Sequence, residues 1–269
     1  ISTIQRGAKR RILAIKISSN SDEEKIRHKV VDPNNLNAED IKKKLLESGC
    51  WPFIKQRPYD VIANPNGIPK AIFISGFSTA PLAANVPFLL SSQKDNFQQG
   101  INTLAKLAPK VHLSVDASEN SFLTDISNVE VHRFKGPHPS GNVGVQIHHI
   151  DPVNAGETVW VVGPVDVARI GAFFTKGFFD ASQTVAVVGP VVRSPIYFKS
   201  RIGAAVAPLI KQVGIVADGH IRVINGDPLS GVAIHADGNL GFYNNTLTIL
   251  SEGNRYRMFC LLYTSPSPR

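Results

Sequence analysis

Between residues 71 and 180, short apolar runs alternate with segments of helical periodicity. AIFIS, VHLSVD, VEVHRF and TVWVV have the length and composition of buried strands. SSQKDNFQQGINTLAKLA places Phe97, Ile101 and Leu104 at helical spacing, and PVDVARIGAFFTKGFFD begins with a proline suited to a first helical turn. This strand–helix alternation predicts a largely parallel sheet covered by helices.

The segments on either side of this region follow different patterns. Residues 2–4 and 11–17 are predicted strands, and Asn37 can cap a helix over residues 38–48 that Gly49 ends. CWPFIKQRPYDVIANPNGIP contains four prolines, and we expect it to be irregular. After residue 180, TVAVVGPVV, SPIYFKSRIG, HIRVING and TLTIL predict short strands, and GAAVAPLIKQV predicts one helix. These features indicate a second, small, β-rich domain.

Composition excludes several functional classes. The two cysteines, Cys50 and Cys260, form no CxxC pair, which argues against a zinc finger, a cysteine-ligated iron–sulfur cluster and a disulfide framework. No apolar run reaches the roughly 18–20 residues of a membrane-spanning helix. The net charge of +8 fits either a solvated basic face or an anionic partner, and we predict no nucleic-acid partner.

The usual cofactor and catalytic motifs are also missing. The first predicted parallel strand is followed by GFSTAPLAAN, which has one glycine where a dinucleotide fingerprint needs G-x-G-x-x-G. The sequence has no P-loop, no H-E-x-x-H and no G-x-S-x-G elbow. We therefore expect any enzymatic role to depend on other chains.

The segment KGPHPSGNVGVQIHHIDPVN, residues 135–154, leaves three interpretations open. A metal site would use His138, His148 and His149, with Asp151 or His132, but adjacent histidines point apart on a helix or a strand. Acid–base catalysis by His138 or His148 has no recognisable nucleophile nearby in sequence.

The third interpretation is a loop that cradles a ligand. GPHPSGNVG follows a predicted strand and precedes an apolar helical run, which Ser140 or Asn142 could cap. The free amides at the start of that helix would favour an anion or a carbonyl oxygen. In open parallel sheets, ligands bind beyond the carboxyl ends of the strands, where this loop is expected.

Several motifs resemble one known family. RGAKRRIL, LLESGCWPFIKQRPYD, KAIFISGFSTAPLAA, FKGPHPSGNVGVQIHHIDPVN, and VAVVGPVVRSP followed by RIGAAV are similar to the NqrA family of sodium-translocating NADH:quinone oxidoreductases. The similarity runs in register from about residue 2 to about residue 259. More distant resemblances are to the RnfC component of Rnf electron-transport complexes and to the flavin-bearing, NADH-oxidising component of respiratory complex I.

This resemblance implies an α/β fold class with three parts. Residues 1–33 would be a partial biotinyl/lipoyl-like β domain with its linker, and residues 34–180 a Rossmann-like α/β domain with a parallel sheet. Residues 181–253 would be a small β-grasp domain of the soluble ligand-binding type. Relative to the family, we expect the chain to be truncated at both ends, with a truncated or non-native tail at residues 254–269.

The resemblance also implies a role within a complex. The chain would be a peripheral subunit on the cytoplasmic face of the bacterial inner membrane, in a sodium-pumping NADH:ubiquinone reductase. Its partners would be the other subunits of that complex, with ubiquinone as substrate. It would bind no cofactor of its own, because flavins, iron–sulfur centres and NADH would belong to partner subunits.

Two main hypotheses follow for the chain itself. In the first it contributes to quinone binding; in the second it is a purely structural docking module. An independent NADH- or flavin-binding enzyme is a third possibility. We assign no catalytic residue and no metal ligand. The candidate quinone- or ligand-binding residues are Gly136, Pro137, His138, Pro139, Ser140, Gly141, Gly144, His148 and Trp160.

Overall fold

The computed structural model describes residues 2–7, 11–18, 24–217 and 219–253. Strands β1 (Ser2–Arg6) and β2 (Arg11–Lys16) form an antiparallel pair, in agreement with the two predicted strands. Their side chains Ile4, Ile12 and Ile15 are more than half exposed. The predicted tail, residues 254–269, lies outside the described residues.

A six-stranded sheet and its helices occupy the middle of the chain. In chain order the elements are α1 (Ala38–Ser48), β3 (Ile54–Arg57), β4 (Val61–Ile62), β5 (Ile72–Ser75), α2 (Val86–Leu90), α3 (Lys94–Leu104), β6 (Val111–Asp116), β7 (Glu130–Phe134), α4 (Val143–Ile150), β8 (Val159–Val162) and α5 (Pro164–Lys176). The strand order is β4-β3-β8-β5-β6-β7. Strands β8, β5, β6 and β7 run parallel to one another, as the alternation predicts. Strand β3 pairs antiparallel with both β8 and β4, so the sheet is mixed.

Local signals define α1 well. The Asn37 Oδ1 accepts a hydrogen bond from the Asp40 amide at 2.8 Å, and Gly49 ends the helix with a φ of 78°. That left-handed conformation suits glycine because it has no Cβ. Both helix ends match the predicted cap and stop.

The proline-rich segment after α1 was wrongly expected to be irregular. It contains β3 and β4, and β3 pairs with β8 from Ile54↔Val162 to Arg57↔Val159. Strand β3 contains no proline, because Pro52 precedes it and Pro58 follows it, so its ladder keeps every donor. The prolines thus border the strand.

The order of the parallel strands creates a crevice. The chain passes from β5 to β6 and β7 on one side, then returns through α4 to β8 on the other side of β5. The connections that follow β5 and β8 therefore diverge at the carboxyl ends of these two strands. Such a reversal of strand order is where open α/β sheets usually form a ligand site.

Helices α3 and α5 pack closely on one face of the sheet, over a core that includes Ile74 and Trp160. Their backbones touch at two glycines. A Cβ on Gly100 would lie 2.0 Å from the Val167 carbonyl oxygen, and one on Gly171 would lie 1.8 Å from that of Asn96. Helix α4 covers the opposite face, where Phe73 and Ile147 belong to a separate apolar cluster.

A second sheet follows in the chain. Its elements are β9 (Ser182–Val188), β10 (Ile196–Arg201), α6 (Ala207–Val213), β11 (Ile221–Asn225), β12 (Val232–Ile234) and β13 (Thr246–Ser251). The strand order is β10-β9-β13-β11-β12, with β9 and β13 parallel and the other neighbours antiparallel. The four predicted strands and the predicted helix are all present. The three-residue β12 was not predicted.

The second sheet rests against loops of the first. Phe242 stacks on Phe53 with ring centroids 4.9 Å apart, and the Tyr243 hydroxyl donates to the Pro52 carbonyl oxygen at 3.0 Å. The Tyr197 hydroxyl accepts from the Asn85 amide at 3.0 Å. In the part of the chain that the structure describes, no helix combines the length and apolar character needed to cross a membrane.

The α3–α5 contact gives a stability prediction. We expect Gly171→Ala to lower the free energy of unfolding by about 3 kcal/mol, because the added methyl group forces two packed backbones apart. Gly144→Ala is the matched control, since a Cβ there meets no atom within 4 Å. Urea unfolding followed by circular dichroism measures both. Equal stability of the two variants would contradict the close contact.

Candidate functional site

The crevice at the carboxyl ends of β5 and β8 holds two adjoining cavities. Both are bordered by Ser75, Gly163 and Pro164. The deeper cavity, of about 250 Å³, lies between the first sheet and the loops of the second. The more open cavity, of about 600 Å³, lies beside the start of α4. Together they form the candidate functional site.

The open cavity has an apolar wall and a helix N-terminus. Its walls include Val143, Val145, Val161 and Val162. Asn142 occupies the N-cap position of α4, but its side chain makes no capping hydrogen bond. The first amides of an α-helix have no acceptor within the helix. At the start of α4, the Val145 amide already donates to the Asn142 carbonyl oxygen at 3.0 Å, so the amides of Val143 and Gly144 are the ones without an acceptor within the helix at this cavity.

Of the two predicted caps, Asn142 occupies the N-cap position of α4 and Ser140 does not. The Ser140 hydroxyl donates to the Gly136 carbonyl oxygen at 2.9 Å, inside its own loop, and so does not cap α4. Asn142 has the position of a cap without the hydrogen bond. A local pattern can place a helix start, but the side-chain rotamer depends on the surrounding loop.

Several hydrogen bonds fix the loop before α4 against the end of β5. The Gly141 amide donates to the Thr79 hydroxyl oxygen at 3.0 Å, and Ser75 Oγ donates to the Gly141 carbonyl oxygen at 3.1 Å. Buried Gln146 donates from Nε2 to Ser75 Oγ at 2.9 Å. A Cβ on Gly141 would lie 2.5 Å from the Thr79 nitrogen, so this close approach requires glycine. The loop is held in position by its neighbours.

Most of the predicted loop residues lie outside the cavities. Gly136, Pro137, His138 and Pro139 are exposed, and the His138–Pro139 peptide is cis. The His138 Nδ1 is 3.1 Å from the Thr79 hydroxyl oxygen, which anchors the loop. From the predicted set, Gly141 and Gly144 line the open cavity.

The structure does not bring His148 or Trp160 to the crevice. His148 is exposed in the last turn of α4, at the opposite end of the helix from the loop. Trp160 is fully buried and packs edge-on against Trp51, with ring centroids 5.5 Å apart. Their assignment as ligand contacts does not fit these positions. An apolar strand residue such as Trp160 is more often part of the core.

The deeper cavity contains a buried ion pair that sequence reasoning missed. Arg169 Nη1 donates to Asp166 Oδ1 at 2.5 Å, and the guanidinium also donates to the carbonyl oxygens of Asp180 and Ser182. Its carbon Cζ lies 4.9 Å from the Phe53 ring centroid. Burial raises the pKa of the Asp166 carboxyl to about 7, against the attraction of Arg169 and Lys55.

Gln183 and Tyr243 were also missed. Both line the deeper cavity, and the Gln183 Nε2 is buried without a partner among the described residues. Two opposite charges three residues apart in the otherwise apolar PVDVARIGAFF were a usable signal for Asp166 and Arg169. Gln183 and Tyr243 have no comparable signal in the sequence around them, because their position at the crevice depends on how the two sheets pack.

Comparisons with known proteins identify the family. The model described as "NqrA second alpha/beta domain" matches residues 36–179, more than half of the chain. The chain belongs to the NqrA family. A second NqrA model, "NQRA C-terminal domain", matches residues 184–236.

Curated NqrA relatives are similar along almost the whole chain. Proteins named as the A subunit of Na(+)-translocating NADH-quinone reductase are 35% identical over 263 residues in Yersinia pestis and 32% identical over 264 residues in Haemophilus influenzae, in each case 96% of the chain. The Pseudomonas aeruginosa protein of that name is 35% identical over 258 residues, or 95% of the chain. The chain spans between 57% and 59% of the length of these relatives.

Solved structures with the same fold have very different sequences. An NAD+-reducing nickel–iron hydrogenase in the air-oxidized state superposes with a TM-score of 0.56 at 12% sequence identity. The match covers 81% of this NqrA-family chain and 50% of the hydrogenase chain. At this identity the similarity concerns the fold alone.

The buried carboxyl gives a prediction about pH. The folded pKa of Asp166, about 7, exceeds the unfolded value of about 3.9, so the folded state holds a proton that the unfolded state has lost between these values. The contribution of Asp166 to the free energy of unfolding should therefore fall as pH rises from about 4 to about 7. Asp166→Asn removes this dependence, although it leaves Arg169 unpaired.

Urea unfolding across that pH range tests the prediction. The stability difference between the original chain and Asp166→Asn should shrink as pH rises. Asp237→Asn, which removes an exposed carboxylate, is the matched control for the loss of one negative charge. A difference that stayed constant or grew with pH would mean that Asp166 has no raised pKa.

Proposed function

We propose that the chain is part of a peripheral component of a sodium-translocating NADH:quinone reductase and holds a quinone headgroup in the crevice. The observation that carries the proposal is Gln183, which lines a cavity bordered by Phe77, Phe242 and Tyr243 and whose buried Nε2 has no hydrogen-bond partner among the described residues. A quinone combines an apolar ring with carbonyl oxygens that accept hydrogen bonds. The relatives' shared name supplies quinone as the substrate class.

The two cavities would have different roles in quinone binding. Gln183 Nε2 would donate to one carbonyl oxygen, which would satisfy a donor that otherwise costs about 1–3 kcal/mol when buried unpaired. The valine wall and the free amides of α4 would hold the rest of the molecule in the open cavity. Within the loop, Gly141 and Gly144 would contact it, whereas His138 would position the loop through Thr79.

The assembly follows from the same proposal. Ubiquinone would be the substrate, and NADH, flavins and iron–sulfur centres would be bound by partner subunits. The chain would lie on the cytoplasmic face of the bacterial inner membrane without crossing it. We further assign residues 34–180 to a Rossmann-like domain, residues 181–253 to a β-grasp domain and residues 1–33 to a partial lipoyl-like domain.

A second role, docking of other subunits, is favoured by the exposed β1–β2 pair. The β1–β2 pair exposes Ile4 by 52%, Ile12 by 60% and Ile15 by 59%. The register pairs Ile12 with Gln5 and Ile15 with Thr3, so these two isoleucines share one face of the pair and Ile4 lies on the other. Apolar side chains exposed on a short sheet are characteristic of an element that another protein covers. Docking through this hairpin is compatible with quinone binding in the crevice, so the two roles are tested separately.

Blocking the open cavity tests quinone binding. We expect Gly144→Leu to reduce labelling of the purified chain by a photoreactive ubiquinone analogue at least about tenfold, because the new side chain occupies the cavity. Gly253→Leu is the matched control, since a Cβ on Gly253 also meets no atom within 4 Å and the residue lines neither cavity. Mass spectrometry of the labelled peptides gives the readout.

The position of the label distinguishes the two roles. Labels in peptides that contain residues 75–84, 141–145 or 226–246 would support quinone binding in the crevice. A chain that is never labelled there, alone or in the assembled complex, would leave docking as its function. Equal labelling of Gly144→Leu and Gly253→Leu would contradict the open cavity as the site.

Removing the buried donor tests the polar contact. We expect Gln183→Leu to weaken binding of the same analogue about tenfold, since a carbonyl oxygen would lose its hydrogen bond in a buried site. The chain itself should become no less stable, because the lost amide has no partner at Nε2 within the described part of the chain. Equilibrium binding and urea unfolding measure the two effects. Unchanged affinity would remove Gln183 from the proposal.

A further inference from the structure

Two neighbouring parallel strands place three metal-ligating side chains together, away from the crevice. In the β6–β7 register His112 lies opposite Glu130, and Ser114 lies opposite His132. Glu130 and His132 are two residues apart, so they share one face of the sheet. Among the described residues, His112, Glu130 and His132 form a group whose potential ligand atoms all lie within 4.8 Å of one another.

The separations between these atoms are short. His112 Nδ1 is 3.0 Å from His132 Nε2 and 3.3 Å from a Glu130 carboxylate oxygen, which is 3.9 Å from His132 Nε2. His112 is 2% exposed, and its other nitrogen, Nε2, is buried without a partner among the described residues. The ring therefore makes its polar interactions through Nδ1, towards the other two groups.

These separations match one face of a tetrahedral metal site. Zinc bonds to histidine nitrogen and carboxylate oxygen of about 2.0–2.1 Å place neighbouring tetrahedral ligands about 3.3–3.4 Å apart. The observed 3.0, 3.3 and 3.9 Å lie on both sides of that value. We propose that His112 Nδ1, Glu130 and His132 Nε2 bind Zn²⁺, with a fourth position open to solvent.

The surroundings suit a cation that enters from solvent. Glu130 and His132 have exposed fractions of 54% and 30%, so an ion reaches them directly. The His112 ring packs against Phe73 of the adjacent strand β5, with ring centroids 4.8 Å apart. Two histidines and one glutamate are a ligand set that zinc takes with an open fourth position.

The site is independent of the proposed quinone site. His112 and Glu130 lie near the starts of their strands, at the amino-terminal edge of the sheet, whereas the crevice lies at the carboxyl ends. The ion would join the edge strand β7 to its neighbour β6. The metal interpretation in the sequence analysis included His132 but combined it with His138 and His148, which the structure places elsewhere.

Zinc binding to the purified, chelator-treated chain tests the proposal. We expect one Zn²⁺ per chain by competition with a chromogenic chelator, and a higher melting temperature with Zn²⁺ than without it. Glu130→Gln should weaken binding at least about tenfold without loss of fold, because this side chain is mostly exposed. Co²⁺ in place of Zn²⁺ should give the strong visible absorption of a four-coordinate site.

Control variants separate the site from chance binding at surface histidines. His132→Ala should lose the bound ion and the rise in melting temperature, whereas His235→Ala, which removes a histidine in the second sheet's region, should keep both. Binding that Glu130→Gln and His132→Ala leave unchanged would overturn the proposal. So would a chain that takes up no Zn²⁺, in which case the three groups form only a hydrogen-bonded cluster.

Discussion

The guanidinium of Arg169 is the interaction on which the arrangement of the two sheets depends. It is 5% exposed, pairs with Asp166 in its own helix, and donates to the carbonyl oxygens of Asp180 and Ser182 where the chain leaves α5 for β9. A buried charge of this kind is tolerated only when its partners are complete. The segment that joins the two sheets is therefore held by hydrogen bonds that a small displacement would break. The deeper cavity lies beside this segment, so the same hydrogen bonds fix its shape.

Packing on the other side of the crevice is equally restrictive. Gly100 and Gly171 let α3 and α5 approach until their backbones touch. Gly141 does the same for the loop before α4 and the Thr79 backbone. These contacts exclude side chains at three positions, so the shape of the crevice follows from where glycine permits close approach.

Local signals determined how well the sequence predicted the fold. Helix α1 was predicted to the residue because Asn37 and Gly49 specify its ends through hydrogen bonding and backbone conformation. Strands β3 and β12 were missed because one lies between prolines and the other has three residues. In the candidate site, the loop before α4 was found from its composition. Gln183 was not predicted as a site residue, because it lines the cavity only when the second sheet packs against the first.

The two ends of helix α4 favour groups of opposite charge. Its first turn lies at the crevice, where the positive end of the helix dipole favours a carbonyl oxygen or an anion. Its last turn, with His148 and His149, lies towards the other edge of the sheet, where the negative end favours cations. There Lys70 pairs with Asp151 at 2.6 Å. Burial lowers the pKa of His112, and the negative charges of Glu130 and Asp151 oppose that effect. The ligand-cradle interpretation of residues 135–154 thus belongs to the first turn of this eight-residue helix, whereas the proposed metal ligands lie on strands β6 and β7, outside that segment.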